Sequence, residues 1–274
     1  MKKIISIILS VILIITGVIV AAIKTPPKVV SLSEKGLPTE GVNLIAHRGF
    51  SAVAPENSSA AFIKAGEAKF FAAECDIQLT KDEIWVLNHD DDIKRMTNGK
   101  GLVSEYTLGE IKEYKINGGY NSHKYPDQKL ITLDSYLNIC DEYDIIPQIE
   151  IKKGNNKCLD KVLKALDTYE GMREKAIIIS FDEDILKSIR EMDSEIELWY
   201  LTHEITDEAI DICNDNNYAL AFNGNNYIKK PNGGVEKAQQ AKLKLACWTI
   251  DKPSVYKALY DLGIRNFTTN RLTK

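Results

Sequence analysis

The chain has 274 residues, 44% hydrophobic and 27% charged, with a formal net charge of −4, a length and balance that suit one large single-core domain. A surface that tracks nucleic-acid phosphates needs an excess of lysine and arginine, and 35 basic against 39 acidic residues supplies none. The five cysteines (75, 140, 158, 213 and 247) form no CxxC pair, which argues against a zinc centre or a disulfide scaffold and for burial as small hydrophobes.

At the N-terminus, Met1-Lys2-Lys3 precedes an uncharged apolar run over 4–23. At about 1.5 Å per residue this run spans the roughly 30 Å of a bilayer's hydrocarbon core. The expectation is an N-terminal transmembrane helix, with 1–24 as a membrane anchor or uncleaved signal. The leading lysines would keep the N-terminus in the cytoplasm, giving a single-pass protein of the cell membrane with its bulk extracellular. Cleavage after a small-residue site such as Val20-Ala21-Ala22 is the alternative and would make the chain secreted. Residues 25–41, polar and punctuated by proline, read as a linker.

From residue 42 short β-rich runs alternate with amphipathic stretches. Strands are predicted at 42–46, 72–79, 145–151, 176–180, 196–201, 218–222, 243–250 and 265–269. Helices are predicted at 58–68, 133–142, 157–169, 183–191, 206–214, 235–241 and 254–262. This alternation over 42–274 implies an α/β fold, a (β/α)8 TIM barrel. A doubly wound sheet needs no eighth strand and usually carries a glycine-rich phosphate loop, which is absent. One irregularity is a small insertion after the second strand. Residues 81–90 read as a hairpin return, and 91–130 as a polar stretch with one amphipathic piece at 108–114. That is too long for an ordinary connection and predicts a subdomain over the site face.

In a TIM barrel the chemistry sits at the C-terminal ends of the strands. The first strand ends at His47-Arg48, the second carries Glu74 and Asp76 two apart, and its hairpin partner ends at His89-Asp90. The third carries Glu150 and Lys152, and the seventh Trp248. Three converging carboxylates repel one another and require a cation. All-oxygen ligation favours a hard divalent ion, Mg²⁺ or Ca²⁺, over zinc. Arg48 and Lys152 suit a phosphate, and His47 and His89 can divide the taking and giving of a proton. The ensemble reads as metal-assisted phosphodiester cleavage. Pro55-Glu56-Asn57-Ser58 reads as a helix start capped by Asn57 or Ser58. Trp248 and Phe181 are candidates to wall the pocket, and His123 and His203 are read as surface or structural residues.

The motifs "HRGFSAVAPENSSAAF", "ECDIQLTKDEIWVLNHD", "IKRMTNGKG", "IEIK" and "WTID", in this order, resemble the glycerophosphodiester phosphodiesterases from about residue 44 to 269. The resemblance implies a TIM-barrel hydrolase that cuts glycerophosphodiesters, small molecules, into glycerol 3-phosphate and an alcohol. It implies His47 and His89 as the acid/base pair, Glu74, Asp76 and Glu150 as ligands of one divalent cation, and Arg48 and Lys152 on the phosphate. It also implies that the substrate's own glycerol hydroxyl can serve as nucleophile, as in some members. Departures are Asp82-Glu83 where the family has Asp-Gly, Ser58 where it has Thr, and the ending Thr268-Thr269-Asn270-Arg271. None removes a catalytic position. Two other readings remain: a lipid phosphodiesterase of phospholipase C or D type, and a non-catalytic barrel that binds phosphorylated ligands.

Overall fold

The computed structural model describes residues 26–274. The expected anchor over 1–24 lies outside these residues, and among the described residues no helix is long and apolar enough to cross a membrane.

The strands, in chain order, are β1 (Val30–Ser31), β2 (Asn43–Ala46), β3 (Ala72–Leu79), β4 (Trp85–Leu87), β5 (Ile146–Ile151) and β6 (Ile177–Ser180). They continue with β7 (Glu197–Thr202), β8 (Ala219–Asn223), β9 (Leu245–Trp248), β10 (Asn266–Thr269) and β11 (Leu272–Thr273). Nine form one sheet, ordered β2-β10-β9-β8-β7-β6-β5-β3-β4, and a further β2–β3 pairing closes it. β4 is antiparallel to β3, while the strands of the closed ring pair in parallel. The ring is therefore the expected eight-stranded (β/α)8 barrel.

Alternation along each strand builds two cores. In β6 every residue is buried, because parallel barrel strands are covered on both faces. Ile177 and Ile179 join Ile45, Ala72, Trp199, Leu201, Ala219, Ala221 and Ala246 inside the barrel. Ile178 faces the helices together with Ala73, Cys75, Ile77 and Ile149. By the same rule Glu74 and Asp76 of β3 point inward beside Ala72. Four cysteines are buried and unpaired, as their apolar settings imply, and Cys158 is half-buried.

Predicted strands survive with ends shifted by a residue or two, most in the seventh, read as 243–250 and observed as Leu245–Trp248. Two features differ from the sequence reading. The stretch expected as a linker, 25–41, joins the folded body at β1, which pairs with β11. Leu32 is fully buried, and Tyr256 donates its hydroxyl to the Pro38 carbonyl at 2.6 Å. Apolar residues on alternate positions draw that segment onto the barrel despite its prolines. The insertion is not merely polar: Ile93, Met96, Val103, Ile111, Ile116 and Leu130 pack with Val86 into a small core of their own.

Candidate active site

The turn after β2 sets the geometry. Arg48 and Gly49 both have positive φ, 56° and 76°. A Cβ on Gly49 would lie 2.7 Å from the carbonyl carbon of Ala61, so the close approach of the following helix (Ser59–Glu67) requires glycine. Arg48 tolerates its left-handed backbone because its N–H donates to Glu74 Oε2 at 2.8 Å and its carbonyl accepts from Asn57 N at 3.0 Å. The turn lifts His47 and Arg48 over the barrel mouth, with His47 Nε2 4.0 Å from Glu74 Oε2.

β3 and β5 are neighbours with Asp76 opposite Glu150, so the acids from two strands meet. One oxygen each from Glu74, Asp76 and Glu150 lies within 4.8 Å of the others. All three side chains are buried. Asp76 is well compensated: Arg48 Nε lies 3.3 Å from it, Lys152 Nζ 3.5 Å, and Asn57 Nδ2 donates to it at 2.8 Å. Burial pushes its carboxyl up, but Arg48, Lys152, His89 and the Asn57 amide outweigh it and hold the group below its ordinary range. Glu74 is not compensated. Burial first, then Asp76 and Glu150, push it well above the ordinary value, and its Oε1 has no hydrogen-bond partner. Burial and Asp76 push Glu150 up to about 7, despite Lys152 Nζ at 2.6 Å. Three acids, two cations and a bare buried oxygen fit a divalent ion with oxygen ligands.

The two histidines are oriented by different partners. Asp251 accepts from Asn270 N at 2.8 Å and from Asn270 Nδ2 at 2.7 Å. A carboxylate only accepts, so the amide is fixed with Oδ1 toward His47. His47 Nδ1, at 2.8 Å, must then donate to Asn270 Oδ1, which leaves Nε2 as a bare lone pair facing the acids. Burial and then Arg48 lower the His47 pKa to about 4, so the ring is neutral near pH 7. His89 donates through Nδ1 to Asp90 at 2.7 Å. Arg95, from the insertion, grips Asp90 through Nε at 2.5 Å and Glu56 through Nη2 at 2.8 Å, and Glu56 accepts from Arg48 at 2.7 Å. An unbroken charge chain thus joins His89 to the phosphate-binding candidate Arg48.

Asn270, Asp251 and Arg95 were missed by sequence reasoning. The only trace of the first two was the Thr-Asn ending and the "WTID" motif. Asn57 does not cap the helix. Ser58 does, its Oγ accepting from Ala61 N, and Asn57 instead clamps Asp76. Replacing Asn270 with Ala is expected to lower kcat about tenfold to a hundredfold with little change in KM, because His47 loses its fixed tautomer. Steady-state kinetics on the purified variant check this.

The cavity at the barrel mouth, about 120 Å³, is lined on one side by His47, Arg48, Glu74, His89, Glu150 and Lys152. Its other side is Ile179, Phe181, Trp199, Leu201 and Trp248. Every sequence-predicted site residue except Asp76 lines this cavity, and Asp76 is held against two that do, Glu74 and Glu150. Trp248 donates its indole N–H to the Ala221 carbonyl at 3.2 Å and so offers the cavity a ring face, not a phosphate donor. Phe181, His203 and Trp248 form a three-ring rim with centroids 5.1–5.4 Å apart, which places His203 at the site's edge. His123 lies away from it, in the insertion. A larger cavity of about 530 Å³ on the β7–β8 shoulder, bordered by Glu204, Tyr227 and Lys230, holds no carboxylate cluster.

Residues 47–274 match the model of the glycerophosphoryl diester phosphodiesterase family. A glycerophosphodiester phosphodiesterase of Caldanaerobacter subterraneus subsp. tengcongensis is 31% identical over 242 residues, covering 83% of this chain and 93% of the relative. One from Bacillus subtilis is 25% identical over 267 residues, covering 88% of each. Among solved structures, an Oleispira antarctica phosphodiesterase in complex with the product sn-glycerol-3-phosphate superposes with a TM-score of 0.76 at 24% identity, covering 88% of this chain and 96% of that one. At that identity the likeness is one of fold.

Proposed function

The chain belongs to the glycerophosphoryl diester phosphodiesterase family, and from that premise we propose that it hydrolyses glycerophosphodiesters to glycerol 3-phosphate and an alcohol, with a divalent cation as cofactor. The observation that carries this reading is the triad of buried carboxylates within 4.8 Å, ringed by two histidines, an arginine and a lysine. Glu74, Asp76 and Glu150 would hold Mg²⁺ or Ca²⁺. Bound there, the ion would polarise a phosphoryl oxygen and stabilise developing charge. Arg48 is engaged by Asp76 through Nε and by Glu56 through Nη1, which leaves Nη2 for the substrate phosphate, with Lys152 as a second positive charge. His47 Nε2 accepts the proton of the substrate's own glycerol hydroxyl as that oxygen bonds to phosphorus, and water then opens the resulting cyclic phosphate to glycerol 3-phosphate. In its doubly protonated form, with Nδ1–H on Asp90, His89 carries a second proton on Nε2 and gives it to the departing alkoxide as that P–O bond breaks. The apolar wall of Phe181 and Trp248 shelters the carbon skeleton of the substrate.

The substrate reading favours water-soluble diesters over bilayer lipids. The insertion's apolar residues are folded into their own core, and among the described residues its one large exposed apolar side chain is Leu102. The apolar run over 4–23, behind Lys2 and Lys3, supports an extracellular barrel tethered to the membrane.

The test is release of glycerol 3-phosphate from sn-glycero-3-phosphocholine by the full chain. Turnover is expected with Mg²⁺ or Ca²⁺, to vanish in excess chelator, and to return when the ion is restored. Undiminished turnover in chelator would overturn the metal role, and no release under any condition would overturn the activity.

A further inference from the structure

β5 carries Gln148 and Glu150 on one side, two residues apart, and Lys152 follows one residue past its end. The last two have partners in the charged cluster. Gln148 has none. Its side chain is 1% exposed, and neither the amide nitrogen nor the amide oxygen makes a hydrogen bond. Across the β3–β5 ladder its register neighbour is Glu74, whose Oε1 is also bare. Gln148 lines the catalytic cavity, and the far wall, Ile179, Trp199 and Leu201, offers it no side-chain partner.

A buried amide with both ends unmade is destabilising, and an apolar side chain of similar length would fill the same space without that penalty. The polar ends therefore serve something that enters the cavity. Its volume of about 120 Å³ holds a few waters or a three-carbon polyol. An amide offers donors and an acceptor side by side, which matches a hydroxyl that both accepts and donates. It does so without adding charge beside three carboxylates.

We propose that Gln148 is the hydroxyl-recognising residue of the substrate pocket: its Nε2–H and Oε1 hydrogen-bond a hydroxyl of the glycerol half while Arg48 and Lys152 hold the phosphate. The assignment rests on the glycerophosphodiester reading and gives it a specificity determinant. A site built to pair a hydroxyl discriminates strongly against ligands that lack one.

The test compares binding of sn-glycerol 3-phosphate and methyl phosphate to the metal-loaded full chain and to Gln148→Met, by calorimetry, with thermal melts of both proteins. Wild type is expected to prefer glycerol 3-phosphate. Gln148→Met should lose about tenfold to a hundredfold in affinity for it, keep its affinity for methyl phosphate, and melt no lower than wild type. Equal losses for both ligands would make Gln148 a support of the charged centre. No loss for either, or no preference in the wild type, would equally overturn the proposal. Because the readout is binding without turnover, its failure is separate from failure to release glycerol 3-phosphate in the diester assay.

Discussion

Glu74→Gln is expected to lower kcat/KM by about three orders of magnitude or more while raising the melting temperature of the metal-free protein. The two effects share one cause. Glu74 is buried beside Asp76 and Glu150, and its Oε1 has no protein partner. Without a cation, folding forces these like charges together. The rise of Glu150 to about 7 from 4.5 alone corresponds to about 3 kcal/mol. Glutamine removes one charge and keeps an oxygen for the Arg48 N–H, so relief of about 2 kcal/mol should raise Tm by about 4–8 °C. The pH dependence has a definite sign. An acid whose pKa is higher folded than unfolded keeps its proton longer in the folded state, so metal-free stability falls as pH rises from about 4.5 to about 7. Glu74→Gln should flatten that fall. Asp76→Asn should behave oppositely, because Asp76 is the acid that Arg48, Lys152 and Asn57 support, and its removal leaves these two half-buried cations with only Glu56 and Glu150 to offset them. Thermal melts in chelator from pH 5 to 8, with kinetics in added Mg²⁺ or Ca²⁺, check all of this. A variant at position 74 that melts lower, or still turns over, would show that the acid supports the fold and not an ion.

What the sequence made legible was whatever local periodicity encodes. Alternation in "ECDIQ" puts Glu74 and Asp76 on one side and Cys75 and Ile77 on the other, and the barrel keeps that division. Strand ends carry the histidines because barrel chemistry gathers there. What stayed hidden depends on contacts between distant segments. His47 and Asn270 are 223 positions apart, and only the β2–β10 pairing brings them together. Arg95 lies in the motif "IKRMTNGKG", but the motif gives it no role until the insertion's small core fixes it against Asp90 and Glu56. Asn57 and Ser58 are alternative caps in the sequence because both side chains can accept at a helix start; Ser58 takes the cap, and tertiary context assigns Asn57 to Asp76. β1 and β11 are two-residue strands, and the single alternation of Val30 with Leu32 is too short a signal to mark one.

His47→Ala and His89→Ala should each lower kcat on glycerophosphodiesters by about a hundredfold or more, but for different reasons that a change of leaving group separates. His47 has its Nδ1–H committed to Asn270 and its Nε2 bare, so it can only accept a proton. His89 is held through Nδ1 by a carboxylate, Asp90, itself gripped by Arg95; that anion pairs with the doubly protonated ring, which presents an Nε2–H toward a departing oxygen. A diester that releases p-nitrophenolate needs no proton on its leaving group, so His89→Ala should recover most of its rate on that substrate. His47→Ala should not. The pH profile gives an independent sign. Burial and Arg48 hold the folded His47 pKa at about 4 against an ordinary 6.5, so the accepting form persists down to acid pH. The acid limb of kcat/KM assigned to this group should therefore fall near pH 4, and a cation on the neighbouring carboxylates would only push it lower. His47→Ala should lose that limb. If the p-nitrophenyl diester rescued the position-47 variant instead, the donor and acceptor would be exchanged, and the Asn270–Asp251 relay would have to be read as holding a protonated ring beside three acids.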